Sequence, residues 1–90
     1  MTEVVLLISS LLLADLQSVD PESTSATKLL RESERQAAVF KYNSAFPDPE
    51  REDAYYLSVA VGRDADAFAK EASGLEGVFA SYSKPAADLP

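Results

Sequence analysis

Ninety residues are enough for one hydrophobic core and one domain. The chain has no cysteine and no histidine, which removes disulfides, thiol nucleophiles, thiolate metal sites, the usual general base and the usual pH switch. Eight basic against fifteen acidic residues leave a net charge of −7, a surface that repels phosphate backbones and anionic membranes, so neither nucleic acid nor a membrane is the expected partner.

The N-terminal run Val4 to Leu13 is strongly apolar but interrupted by Ser9-Ser10. It falls well short of the ~18–20 residues of a membrane span. Glu3 stands where a secretory leader would carry a positive charge, and Ala14-Asp15-Leu16 is a poor cleavage site. The run is therefore expected to be a buried strand, either long and bulged through Leu11-Leu12-Leu13 or broken at the serines. The cytoplasm is the expected compartment.

Ser18 to Ser25 (SVDPESTS) is a loop by composition. A helix is predicted from about Ser25 to Gln36 or Ala37, with Leu29, Leu30, Ser33 and Ala37 inward and Lys28–Glu32 as a favourable i,i+4 pair. Ala38 to Phe46 (AVFKYNSAF) alternates as a strand, with Val39, Lys41 and Asn43 on one side and Phe40, Tyr42 and Ser44 on the other. Pro47 to Asp53 (PDPERED) reads as an acidic turn. Tyr55 to Val61 (YYLSVAV) is the cleanest strand, Tyr55, Leu57, Val59 and Val61 sharing one face and Tyr56, Ser58 and Ala60 the other.

Asp64 is a good N-cap, and Asp66 puts negative charge at the positive end of the following helix. Ala65, Phe68, Ala69 and Ala72 lie on one face of it, and Gly74 or Gly77 can supply a left-handed residue at its end. Val78 to Ser83 is the last strand. Pro85 and Pro90 bracket an extended Ala-Ala-Asp-Leu. The order strand, helix, strand, strand, helix, strand predicts an α+β fold of the ferredoxin-like β-α-β-β-α-β kind: a four-stranded antiparallel sheet with two helices on one face. Residues 1–84 would form the domain and 85–90 an extended tail.

No phosphate-binding, nucleophile-elbow or metal-protease motif is present, and no histidine is available to activate Ser9, Ser10, Ser81 or Ser83. Asp48, Glu50, Glu52 and Asp53 lack the spacing of a calcium loop and read as a solvated turn. The chain is not expected to be an enzyme or to carry a cofactor or metal. A sheet with helices on one side leaves its other side open, and Tyr42, Tyr56 and Tyr82, with Ser58 and Ala60 between them, are the candidate residues there.

The segment Leu75-Glu76-Gly77-Val78-Phe79-Ala80-Ser81-Tyr82-Ser83-Lys84-Pro85 resembles the end of the N-terminal propeptides of subtilisin-like serine proteases, also known as a peptidase inhibitor family. There a helix and a Pro-Gly-Val lead into a last strand ending Ala-Tyr-Val-x-Pro. Gly77-Val78 and Tyr82…Pro85 match as they stand. Glu76 replaces the usual proline, and Ser83-Lys84 replace an acidic residue that caps helices on the protease. The resemblance implies docking on a subtilisin-like protease by the open sheet face; with no protease domain following, it implies an inhibitor or chaperone in trans, or a relative with another partner. It implies a C-terminal segment lying in the substrate groove as an added strand. Lys84, Pro85, Ala86, Ala87, Asp88 and Leu89 would make those contacts, with Leu89 at the specificity position and Pro90 past the scissile bond. The alternative is an acidic interaction protein that forms a homodimer through its sheet or blocks a nucleic-acid-binding partner.

Overall fold

The computed structural model describes residues 2–84. In chain order the elements are β1 (Thr2–Ser9), α1 (Ser10–Leu16), α2 (Thr24–Arg35), β2 (Ala38–Asp48), β3 (Arg51–Val61), α3 (Ala65–Ser73) and β4 (Val78–Ser83). The strands form one antiparallel sheet in the order β2-β3-β1-β4. That order and connectivity make the fold α+β and ferredoxin-like, with an additional short helix in the first crossover.

The added helix decides between the two expectations for the N-terminal run. The strand ends at Ser9, whose hydroxyl accepts the Leu12 N–H at 3.1 Å and caps α1. Leucine is a good helix former, and Leu12 and Leu16, four residues apart, both reach the core. Asp15 then ties down the loop that follows, accepting the Glu22 N–H, the Ser23 N–H and the Ser23 hydroxyl at 3.0, 2.9 and 2.6 Å. The same Ser23 hydroxyl accepts the Ala26 N–H as the cap of α2.

All three helices pack on one side. Val4, Leu6 and Ile8 of β1 meet Leu57, Val59 and Val61 of β3, together with Leu12, Leu16, Ala26, Leu29, Phe68 and Ala72 from the helices. Position by position, α3 follows the sequence: Asp64 accepts the Ala67 N–H at 3.0 Å, and Ala65, Phe68, Ala69 and Ala72 are the buried residues. In α2, Glu32 binds Arg35 at 3.4 Å and Gln36 at 3.0 Å, in place of the expected Lys28. Ala37, expected on the inner face, lies past the helix end at φ 53°, where it turns the chain into β2.

Two boundaries in the central hairpin are corrected. Pro47 and Asp48 belong to β2, and β3 begins at Arg51, so the acidic turn shrinks to its tip, where Asp48 accepts the Glu50 N–H at 2.9 Å. Within β2 the register slips: Lys41 faces Ser58 but Phe46 faces Tyr56, five residue steps against two. The extra backbone bulges, and strict alternation is lost there.

The placement of Tyr42 is corrected too, because it shares the side of Phe40, which faces the core residue Val59. Its ring stacks on Phe40 at 5.7 Å, both pack against the core, and its hydroxyl donates to the Leu16 carbonyl at 3.2 Å. Phe40 in turn meets Phe68 at 6.3 Å. Tyr42 thus lies under the helix layer, away from the open face, and burial raises the pKa of its phenol.

Candidate functional site

The face of the sheet away from the helices carries three rows of side chains, two of them continuous across all four strands. Lys41, Ser58, Val5 and Tyr82 are successive partners in the first. Beside it run Phe46, Tyr56, Leu7 and Ala80, and on the other side Val39, Ala60 and Glu3, with the Lys84 N–H donating to the Glu3 carbonyl at 2.7 Å. The alternation along β1 and β3 puts these residues opposite the core set, and none of them belongs to the core cluster. Val5 and Leu7 are nevertheless nearly buried, at 7% and 8% exposure, because a central strand is flanked on both sides.

Between the β2 and β4 edges the rows form a groove of about 500 Å³, with Val5, Tyr56 and Ser58 among its lining. Phe46 and Ser44 line it from the β2 side, Tyr82 and Lys84 from the β4 side. Phe46 is 65% exposed and Tyr82 48%. Glu3 supplies the acidic group of the lining. The Lys84 ammonium, 3.3 Å away, and then the Ser58 hydroxyl beside it hold the Glu3 carboxyl below its ordinary range, with the charges of Lys84 and Lys41 adding to them against a smaller effect of desolvation.

Of the residues expected on this surface, Tyr56, Ser58, Tyr82 and Lys84 are brought together in one groove. Tyr42 is not, for the reason given above. Pro85, Ala86, Ala87, Asp88 and Leu89 lie outside the described residues. The sequence reading passed over Glu3, Lys41 and Phe46. A signal for Lys41 was present, since a charged residue within a strand marks its solvent side, and Lys41 shares that side with Val39.

The resembling segment has a physical basis in the fold. Gly77 has φ +91°, its carbonyl accepts the Ser9 N–H at 2.9 Å, and a Cβ there would sit 3.4 Å from both Leu12 and the Ser9 hydroxyl. Glycine is thus required by the backbone conformation, a Cβ there making only ordinary contact. Gly74, the other expectation, has an ordinary helical φ of −87°. Two of the three residues that depart from the propeptide pattern are used within the chain: the Ser83 hydroxyl donates to Asp66 at 3.0 Å, and Lys84 holds Glu3.

A second hollow, of about 530 Å³, lies beside α1 and the start of α2. Its Asp15 is committed to three hydrogen bonds of the loop, which keep its carboxyl below the ordinary range, the Ser23 hydroxyl contributing most. Among the described residues no acidic or other ligating cluster could hold a metal ion, and no helix is long and apolar enough to cross a membrane. The chain matches no protein-family model, no curated protein and no solved structure.

Proposed function

We propose that the chain is a protein-binding domain that docks a subtilisin-like serine protease on the uncovered face of its sheet, inhibiting or chaperoning it. The observation that carries this is the groove itself: Tyr56, Ser58, Tyr82 and Lys84 meet on one open, largely apolar surface. The stretch that resembles the propeptides supplies the last of those strands, Val78–Ser83. Large aromatic side chains with polar tips, on strands that cannot rearrange, suit docking of a folded surface at low entropic cost.

Ser83 and Lys84 are engaged by Asp66 and Glu3, so they are not free to cap helices on the partner as the family's acidic residue does. The grip would come from the apolar contacts of Phe46, Tyr56 and Tyr82. Ala86 to Leu89 would add the strand in the substrate groove, and Pro90 after the scissile bond, with a rigid ring and no backbone N–H to bond in the groove, is a poor leaving position.

The test is a panel of subtilisin-like proteases assayed with the purified chain and with a form ending at Lys84. Inhibition by the whole chain, relieved by the truncation and weakened by Tyr56→Ala, is the expected result. A whole chain that inhibits no member of the panel at high micromolar concentration overturns the proposal.

A further inference from the structure

We infer that, in the absence of another partner, the uncovered sheet face is occupied by a second copy of the chain, forming an isologous face-to-face dimer. The inference rests on the reading that this face is the docking surface, but not on the partner being a protease.

Three observations carry it. The first is where the exposed apolar residues are. Of the six large hydrophobic side chains left in water among the described residues, Val39, Phe46 and Tyr82 belong to the three rows of this one face, while Leu11 and Val19 stand singly in and after α1. Phe79, at the bulge of β4, is also exposed and has the Arg51 guanidinium 4.6 Å above its ring. Scattered single residues need no explanation, whereas a contiguous apolar face does.

The second is charge. The chain is at −7, and two copies repel wherever their acidic surfaces meet. Yet the three rows contain one acidic residue, Glu3, which is already paired with Lys84 and lies near Lys41. The acidity has been kept off this face, and the face carries both signs itself. In a two-fold arrangement each copy offers the other the same mixture, which is what an isologous contact requires.

The third is size and shape. The three rows span about six residue lengths across four strands, which at about 3.3 Å per residue and about 4.8 Å between strands give a face of roughly 380 Å². Two such faces bury about 760 Å², the size of a weak, transient contact with a micromolar affinity. The groove of about 500 Å³ lies between the exposed aromatic rings of Phe46 and Tyr82. A ring standing out beside a groove on the same surface lets each copy fill the other when the sheets stack about 10 Å apart.

Sedimentation or light scattering of the whole purified chain across a concentration series tests this without any protease. A monomer–dimer equilibrium in the micromolar range is expected. Phe46→Ser and Tyr82→Ser should each weaken it about tenfold. Val19→Ser, at a fully exposed apolar position in the loop after α1, should leave it unchanged. Raising salt from about 0.05 to about 0.5 M should tighten the dimer, because it screens the repulsion between two acidic chains. A chain that stays monomeric at several hundred micromolar overturns the inference, as does a dimer insensitive to Phe46→Ser and Tyr82→Ser or one that salt dissociates. Association without protease inhibition would leave the inference standing and the proposed function refuted. Inhibition by a chain that never associates would do the reverse.

Discussion

The two faces of the sheet are made by the same strands, yet they follow different rules. On the helix side, Val4, Leu6, Ile8, Leu57, Val59 and Val61 are completely buried and purely apolar. Shifted by one residue, the other side offers Glu3, Val5 and Leu7 against Tyr56, Ser58 and Ala60, a mixture of small, hydroxylic, aromatic and charged groups. The first pattern is what close packing selects, since any polar atom there would lose its water. The second is tolerable in water and still apolar enough to gain by leaving it, the composition of a surface that is covered part of the time. The difference locates the stability of this molecule on one side of the sheet and, on the proposal made above, its recognition on the other.

Substituting one large aromatic on each side should separate the two roles most clearly. Phe68 is fully buried beneath the sheet, against Phe40. Phe68→Ala should cost about 3–5 kcal/mol, a large part of the whole stability of a domain this size. Tyr82→Ser removes a ring that is half in solvent, and should change stability by less than about 1 kcal/mol. Urea unfolding of both variants checks the pair. A Tyr82 variant as damaged as the Phe68 variant would mean that the outer face is also structural, and the division fails.

Tyr42 sharpens the comparison, because it was expected among the outer tyrosines, whereas alternation from Phe40, which faces the core residue Val59, puts it inside. Tyr42→Phe keeps the ring against Phe40 and deletes the hydrogen bond to the Leu16 carbonyl at the end of α1. The expected loss is about 1 kcal/mol. Tyr56→Phe on the open face should cost less in stability. Thermal melts of the two, compared with their effects on the protease inhibition proposed above, should show opposite profiles if that proposal holds: Tyr42→Phe lowers stability more and Tyr56→Phe lowers inhibition more.

How far the chain explains itself follows the range of the deciding interactions. α3 and β4 were readable because their determinants are local: a cap at Asp64, a helical apolar stripe, and a short run of strand formers after Gly77. The α+β arrangement followed from the order of such segments. α1 was not readable in the same way. A run of leucines after a serine suits a strand or a helix equally, and what settles it is distant in sequence: Ser9 pairs with Gly77, and Leu12 packs within 3.4 Å of where a Gly77 side chain would begin. In β2 the phase of the alternation is right at Phe40 but shifts across a bulge that only the pairing with β3 defines. Half of the groove was therefore visible as Tyr56, Ser58, Tyr82 and Lys84, whereas Phe46 reaches it only after that shift.

The smallest effect concerns charge, the property in which the two faces differ most in kind. The helix-side row of fully buried residues contains no ionisable group, whereas the outer face holds the Glu3 carboxylate between Lys84, Ser58 and Lys41. The folded pKa of Glu3 lies below its unfolded value, so the folded state favours the ionised form. Its contribution is therefore complete above the unfolded value, near pH 4.5, and is lost as pH falls through the lower folded value. Asp15 acts in the same direction through its loop hydrogen bonds. Stability should decline gently as the pH falls below about 4.5, and Glu3→Gln should flatten part of that decline while leaving the plateau near neutrality almost unchanged, because the pair is exposed and screened. Urea titrations at pH 3, 4 and 7 measure the slope. If Glu3→Gln leaves the acid slope untouched and Asp15→Asn removes it, the acid sensitivity belongs to the helical loop, and the open face can gain or lose its single negative charge without consequence for the fold beneath it.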